Sequence, residues 1–572
     1  MKKVTLFIFL LFSLTISAQD IPQHISYTRI YDFLDELANV DIIDINTAVK
    51  PYSRQFIADK LLDAKKLKDK LNKRQTKELE FFLNEFALEN GDLPKASILL
   101  WKNDNSETAL FPPAFHYRDS LFKVRLTPIL GLNFMHNDNG NILKRWVGAD
   151  FQATIGKHFS IYGSIRDLSN NGDTLSSYYF LNNYPGYEYK EASYGGDFSD
   201  SRGGIKFSNS WGSIGLVKDN IVWGDNYHGS NILSGRAPSF PMLTLQLKPV
   251  KWFELNYIHG WLVSNVLDSS YHYTNNMGSI FYRPNNKFIA ANLLTFMPVR
   301  DLRISVGNSI IYAEKSIQAA YLIPIAFYKS IDHTLTKGLG TENQNSQVFL
   351  NISSRNIEYT HLYGSVFFDE ISFDRFSPDN AEDNPMSFKA GINVSNFPID
   401  NISLNAEYTR TNIIAYKHFI PTLTYASNSY NLGHYLGDNS SELYLSLQIK
   451  PIRGLDFKLN YTDAKHGKEY AYIQRGTSNG ITSNISSIIS QPSLGEIIWS
   501  NKTIGFQGVY EVVNNTYINF MVEWSKIDAY DPAEPIAFGE KRMTKSETLN
   551  YYTPKYLQAE NITFSGGVSF GF

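Results

Sequence analysis

The 572-residue chain contains no cysteine, so it cannot form disulfides, and we expect no lipid anchor attached through an N-terminal cysteine. It also lacks an apolar run of about 20 residues, the length that a membrane-spanning helix requires. Its charge is nearly balanced, with 53 Lys and Arg against 56 Asp and Glu. This composition gives no basic field suited to nucleic acid, and we expect no such partner.

The N-terminus has the pattern of a secretory signal. Met1-Lys2-Lys3 is a short basic start, residues 4–16 are apolar, and Ser17-Ala18 offers a small residue for cleavage before Gln19. We therefore predict that residues 1–18 are a signal peptide and exclude them from fold reasoning. Export also makes a nucleic-acid partner implausible.

The last strand of the chain indicates the fold class. One face of its alternating pattern is formed by Ile562, Phe564, Gly566, Val568, Phe570 and Phe572. The other face is formed by Asn561, Thr563, Ser565, Gly567, Ser569 and Gly571. Apolar residues facing lipid and small polar residues facing a lumen are typical of an outer-membrane β-barrel. The 36 tyrosines and 38 phenylalanines agree with the aromatic girdles of such barrels.

From about Leu121, apolar residues recur at every second position, as in β-strands. These predicted strands are joined alternately by tight turns and by longer connections. The tight turns are predicted near Gly156-Lys157, Asn209-Ser210, Pro249, Pro298, Ser354-Arg355, Pro398, Pro451 and Val513-Asn514. The longer connections are predicted near 136–142, 167–199, 221–241, 263–285, 313–343, 371–385, 410–439, 465–497 and 528–556. Nine long connections and eight tight turns require 18 strands. With this even number, the chain enters the first strand from the periplasm and the last strand also ends there.

Residues 19–115 show a different period. Ile30, Phe33, Leu34 and Leu37 recur at helical spacing. Ser53 is positioned to cap a second helix, and Asn72 with Gln75 resembles a capping box before a third. The predicted fold is thus an all-β transmembrane barrel of about 18 antiparallel strands over residues 116–572, with a small periplasmic α-helical bundle over residues 19–115.

Several ordered motifs carry a family resemblance. They are Tyr31-Asp-Phe-Leu-Asp-Glu-Leu37, Pro51-Tyr-Ser-Arg54, Trp223-Gly-Asp-Asn226, Arg236-Ala-Pro238, Glu407-Tyr-Thr-Arg-Thr-Asn-Ile-Ile-Ala-Tyr-Lys-His418 and Leu432-Gly-His-Tyr-Leu-Gly-Asp-Asn-Ser-Ser-Glu-Leu443. Together they resemble the Wzi capsule-assembly family over nearly the whole mature chain. The resemblance implies an outer-membrane lectin that retains capsular polysaccharide on the cell surface, and it implies no catalysis. We also expect no metal ion and no cofactor.

Two loops supply candidate glycan contacts, because aromatic rings offer flat apolar faces and Arg grips carboxylates. The candidates are Trp223, Asp225, Asn226, His228, Arg236, Arg410, Tyr416, His418, His434, Tyr435, Asp438 and Asn439. An alternative carries at least equal weight: the Gly-rich loop around 432–439 folds back and knits neighbouring loops together by hydrogen bonds. For the tyrosines between 178 and 189, loop packing or placement in an interface girdle is favoured over ligand stacking.

Two other functions remain open from the sequence. Barrel size alone permits a porin or transport channel, which bilayer conductance would reveal. A scaffold for another envelope machine would dock a periplasmic protein partner on the helices, near Lys65 to Lys73. The chain has no HExxH motif. Its two G-x-S-x-G stretches, residues 476–480 in a predicted long connection and 567–571 in the last predicted strand, do not lie at the strand-to-helix turn of a nucleophile elbow, and we expect no enzyme.

Overall fold

The computed structural model describes residues 20–175, 179–182, 189–336, 343–377, 379–471, 485–533 and 539–571. The predicted signal peptide lies outside these residues, as do Tyr178, Tyr184 and Tyr187 of the predicted tyrosine cluster. Within the described part of the chain, no helix has the length and apolar character needed to cross a membrane.

Eighteen antiparallel strands form a closed barrel, which confirms the predicted fold class. The strands are β1 Phe122–Asn137, β2 Gly140–Ile155, β3 Phe159–Asn171, β4 Gly195–Asn209, β5 Gly212–Asp219, β6 Phe240–Val250, β7 Phe253–Leu262, β8 Lys287–Val299, β9 Leu302–Tyr312, β10 Gln344–Ile357, β11 Thr360–Phe368, β12 Met386–Ser395, β13 Ile402–Thr411, β14 Ser440–Ile452, β15 Leu455–Gly467, β16 Ile497–Val513, β17 Thr516–Ala529 and β18 Ala559–Phe570. The barrel closes where β18 pairs with β1, from Phe564 opposite His136 to Phe570 opposite Leu130.

The last strand has the predicted two faces. Ile562, Phe564 and Val568 point outward and are each about half exposed, whereas Asn561 and Thr563 are buried on the lumen side. An outward band of apolar side chains is what a membrane barrel presents to lipid.

Two predicted connections are wrong in detail. Ser354 and Arg355 do not form a turn: β10 continues to Ile357, and the reversal falls at Glu358-Tyr359. The first predicted long connection is a two-residue turn, Asp138-Asn139, because β1 and β2 extend to meet at Asn137 and Gly140. We call the end of the barrel where all connections are tight turns the short-turn end. The opposite end is the long-loop end, and it contains one tight turn, at Asp138-Asn139.

Three helices precede the barrel, and their caps form as predicted. They are α1 Thr28–Asn39, α2 Arg54–Lys66 and α3 Lys73–Glu85. The Ser53 side chain accepts a hydrogen bond from the Phe56 amide, and Asn72 with Gln75 forms a reciprocal capping box. Their apolar faces share one core around Leu34, Leu37, Ile57, Leu61 and Phe82. We call residues 20–88 the helical unit.

The helical unit lies inside the short-turn end of the barrel and is fastened to the lumen wall by polar contacts. Arg29 of α1 donates to Asp456 of β15 at 2.7 Å and to Glu511 of β16 at 2.5 Å. On the same helix, Glu36 lies 3.0 Å from Lys450 of β14. Burial favours a raised pKa for Glu36, but the charges of Lys450 and Arg74 and hydrogen bonds from Asn396 and Gln75 lower it to about 2. Glu36 is thus ionised and permanently paired.

A small sheet connects the helical unit to the barrel. Its strands are Ile98–Lys102, Ser106–Phe111 and Pro113–Arg118. The third strand pairs with β1 below the point where β18 ends, from Phe115 opposite Leu126 to Arg118 opposite Lys123. The predicted domain boundary between residues 115 and 116 therefore falls inside this strand.

The long loop after β9 covers polar groups on the outward face of the barrel. We call residues 313–336, which include helix α4 Tyr328–Thr336, the strap. Asn292 of β8 donates to the Ala326 carbonyl at 2.8 Å, and Asn308 of β9 accepts from the Tyr328 amide at 2.9 Å. These amides would otherwise face hydrocarbon without partners, which is costly. The strap satisfies them.

The opposite side of the strap is apolar and exposed, with Leu322, Ile323, Ile325 and Phe327 between 43% and 67% accessible. Asn292 lies seven residues from Val299 at the short-turn end of β8. With a rise of 3.3 Å per residue and a tilt of about 40°, Asn292 lies roughly 18 Å above that end, within an apolar band of about 25 Å. The strap therefore reaches into the lipid-facing band.

We predict that Phe327 contacts lipid. Because the chain has no cysteine, Phe327→Cys provides a single labelling site, and a nitroxide there should be relaxed by oxygen more than by a water-soluble nickel reagent. Met277→Cys is the matched control, since Met277 is 92% exposed at the long-loop end and should show the reverse. Equal accessibility of both labels to the nickel reagent would contradict the placement of the strap in lipid.

Candidate functional site

Two long loops fold inward and fill the lumen at the long-loop end. The loop between β5 and β6 contributes Trp223 and Ile232, and the loop between β13 and β14 contributes Tyr416 and Tyr425. They pack on wall residues including Phe349 and Phe367 in one apolar cluster. Apart from Arg410, which lies in β13, the predicted candidate residues belong to these two loops, and their positions follow from this inward fold.

Trp223, Asp225 and Asn226 lie at the base of the first loop. Trp223 is fully buried, and its ring meets Phe349 edge-on with centroids 6.2 Å apart. Asp225 is buried and accepts a hydrogen bond from Asn351 of β10 at 2.6 Å. The half-buried Asn226 donates to the Gly224 carbonyl at 2.8 Å. These contacts fix the loop against the barrel wall. The loop also pairs, as a short antiparallel strand, with residues 49–50 of the helical unit.

A second group of candidates surrounds a carboxylate that the sequence analysis did not select. Glu442, at the start of β14, lies 3.3 Å from the His228 ring and 3.2 Å from the His434 ring, and accepts a hydrogen bond from the Tyr435 hydroxyl. Glu442 belongs to the family-like motif 432–443. Strand alternation places it inward, a signal that would have identified it.

Arg236 and His228 complete this group through contacts with a third loop. Arg236 donates to Asn182 at 2.6 Å and lies over the Tyr435 ring, 4.9 Å from its centroid. His228 stacks on Tyr444 with ring centroids 3.6 Å apart. Asn182, in the loop between β3 and β4, was also missed. The group thus joins three long loops.

Burial determines the protonation states of His434 and Tyr435 beside Glu442. It lowers the pKa of His434 below its usual value, although Glu442 opposes this by hydrogen bonding and charge. It also raises the pKa of Tyr435 well above its usual value, and Glu442 reinforces that shift. A neutral His434 and a neutral Tyr435 therefore accompany the Glu442 side chain at pH 7.

The remaining candidates hold the second loop in its fold. The Tyr416 hydroxyl donates to the Asn231 carbonyl at 2.8 Å, and its amide donates to Asp438 at 2.7 Å. Burial raises the pKa of Asp438 to about 6, against the opposing effect of Lys417 and three backbone amides. Asn439 has a φ of +49° and bridges to the Lys468 carbonyl at 2.9 Å.

His418 and Arg410 lie apart from these groups. The half-buried His418 ring accepts from the Ile420 amide at 3.1 Å within its own loop. Arg410 is on the outward face of β13, between the inward Thr409 and Thr411, and donates to the Ser493 carbonyl at 3.1 Å. The structure does not bring either residue to the Glu442 group.

The family model for the capsule assembly protein Wzi matches residues 140–531, which is more than half of the chain. The chain belongs to the Wzi family. The resemblance predicted from the ordered motifs is thereby confirmed.

One solved structure shows the same fold. Escherichia coli Wzi, an outer membrane protein involved in group 1 capsule assembly and described as a carbohydrate-binding β-barrel, matches with a TM-score of 0.55 and 11% identity, over 97% of this chain and 100% of that chain. At that identity the match shows the fold alone. OccD3 of Pseudomonas aeruginosa matches with a TM-score of 0.38 and 10% identity, over 79% and 91% of the two chains. That score supports no conclusion. Curated proteins give no match.

In this Wzi-family chain the candidate residues differ in accessibility. Trp223, Asp225, Arg236, Tyr416, His434, Tyr435, Asp438 and Asn439 are buried, whereas Asn226, His228, Arg410 and His418 are half-buried. The buried residues make their contacts with neighbouring loops and with the barrel wall. Such contacts agree with the alternative that the loop around 432–439 holds neighbouring loops together by hydrogen bonds. Across the described ranges, no group of three or more His, Cys, Asp or Glu side chains is placed to hold a metal ion.

Proposed function

We propose that this protein binds surface polysaccharide at the long-loop end of an outer-membrane barrel and retains it there as part of capsule assembly. The observation that carries the proposal is the Wzi family match over residues 140–531. A lumen occupied by the helical unit and by two inward loops supports it, because the surface available to a polymer is then the outside of the loops.

The proposed orientation follows from the connections. Outer-membrane barrels have short periplasmic turns and long outer loops, so the short-turn end, the helical unit and the end of β18 would face the periplasm. Residues 1–18 would be removed on export. Lys65 to Lys70, at the end of α2, are exposed and are the part of the helical unit that a periplasmic protein partner would meet.

The candidate residues would serve the proposed function in two ways. The buried set would hold the outer loops in one arrangement, through contacts such as those around Glu442. The half-buried Arg410 and His418, which lie apart from these contacts, would be available for direct contact with sugar. No described contact favours the channel alternative, since ion pairs and packed rings occupy the lumen.

Deleting the gene tests this function. Cells without the protein should release polysaccharide into the medium while total synthesis stays unchanged, because only attachment is lost. Complementation with the full chain should restore the cell-bound fraction, measured by total-carbohydrate assay of the polysaccharide from washed cells and from the supernatant. Unchanged retention in the deletion strain would contradict the proposal.

A further inference from the structure

The loop between β7 and β8 forms a hairpin that projects from the long-loop end. Its strands are Leu267–Thr274 and Ile280–Pro284, and we call residues 267–284 the finger. Every strand residue except Asp268 is exposed. The base is fixed to the barrel: the Asn285 amide donates to the Val266 carbonyl at 2.9 Å, and Asn286 donates to the Lys315 carbonyl at 3.0 Å.

One face of the finger is an aromatic platform. Tyr273 pairs directly with Phe281, and their rings stack with centroids 5.5 Å apart and planes 16° apart. Arg283 lies two residues beyond Phe281, hence on the same face, and its guanidinium lies 5.6 Å from the centroid of the Tyr271 ring. The three rings are 44% to 58% exposed. The platform thus combines flat rings, two hydroxyls and one cation.

Such an exposed set of rings indicates a binding surface. A two-stranded hairpin is marginally stable in water, and contiguous exposed apolar surface marks an interaction site. The chemistry favours a saccharide over hydrocarbon, because Asp268, Ser269, Ser270, His272 and Arg283 are interleaved with the rings and would lose water in a bilayer. Tyrosine faces stack on the apolar faces of sugar rings while their hydroxyls remain hydrogen-bonded.

We infer that the finger is a polysaccharide-contact element, in which Tyr271, Tyr273 and Phe281 stack on sugar rings and Arg283 pairs with carboxylates of an acidic polymer. The inference rests on the proposed function and assigns it a site outside the loops that the sequence singled out. The position of the finger supports it, because it lies at the long-loop end and within the residues matched by the Wzi family model.

The test measures binding of surface polysaccharide extracted from the same cells to the purified full chain in detergent. The first variant, Tyr271→Ser with Tyr273→Ser and Phe281→Ser, removes the platform. The control, Met277→Ser with Ile280→Ser, removes exposed apolar surface from the same finger without touching a ring. Because each ring contributes a stacking contact, we expect Kd to rise about tenfold or more for the first variant and to stay within about twofold for the control.

A third variant tests the charge. Arg283→Gln should weaken binding of the native polymer several-fold and leave binding of its carboxyl-reduced form unchanged, since the guanidinium then has no carboxylate to pair with. Equal losses for both polymers would contradict the assigned role of Arg283. Each variant is first checked for the mobility shift between unheated and heated samples on a denaturing gel, which reports a folded barrel.

The outcomes separate the two proposals. If the wild-type chain binds and the platform variant binds equally well, the finger inference is wrong and the proposed function stands. If the wild-type chain does not bind, the proposed function fails and the inference with it. A nitroxide at Met277→Cys that is relaxed by oxygen rather than by the nickel reagent would place the finger in lipid and overturn the inference.

Discussion

Replacing Arg29 with methionine is expected to destabilise the folded protein by about 3 to 5 kcal/mol, the usual cost of removing one partner from a buried ion pair. The Arg29 guanidinium contacts Glu78 of α3 and also Asp456 and Glu511 of the barrel wall, each within 2.7 Å. Without it, three largely buried carboxylates face one another. The free energy of unfolding, from guanidinium titration of protein folded in lipid vesicles, measures the loss.

Lys66→Met is the matched control for Arg29→Met. Lys66 pairs with Asp63 at 2.8 Å, but the two side chains are 74% and 48% exposed. Pairs of this kind contribute about 1 kcal/mol or less. A similar small effect from both substitutions would show that Arg29 does not fasten the helical unit to the barrel.

Lys389→Met is expected to have an effect of similar size in the middle of the lumen. The Lys389 ammonium of β12 lies 2.6 Å from Glu407 of β13, and both side chains are no more than 1% exposed. The substitution leaves Glu407 with hydrogen bonds from the Tyr363 hydroxyl and the Tyr227 amide but without a countercharge. We expect a loss of about 3 to 5 kcal/mol, measured by the same titration.

The double variant Lys389→Met with Glu407→Gln provides the control. Glutamine retains an oxygen that accepts from Tyr363, and the uncompensated charge is gone, so most of the lost stability should return. If the single and double variants are equally unstable, lost packing around Lys389 explains the effect and the ion pair does not.

The strand count could be predicted from sequence because its signals are local. Alternation along β18 and proline at or next to the tight turns depend on neighbouring residues only, and so do the caps at Ser53 and Asn72. The same locality explains the error at Ser354 and Arg355. Polar residues there resemble a turn, but Arg355 points into the lumen and pairs with Asp35 of the helical unit at 2.9 Å.

The position of the helical unit and of the inward loops could not be predicted, because their partners are hundreds of residues distant. Arg29 and Asp456 are separated by 427 positions. Polar residues in long loops resemble ligand-binding residues whether they face solvent or one another, which is why His434, Tyr435 and Asp438 were candidates and are buried. The finger was overlooked because the predicted connection 263–285 carries none of the family-like motifs from which the candidates were chosen.

Binding of extracted surface polysaccharide by the purified wild-type chain is the measurement that tests the account most directly. We predict saturable binding that weakens about tenfold or more when the finger platform is removed, with no need for the buried candidates to touch sugar. An absence of binding by correctly folded protein, together with unchanged polysaccharide retention in cells lacking the gene, would contradict it.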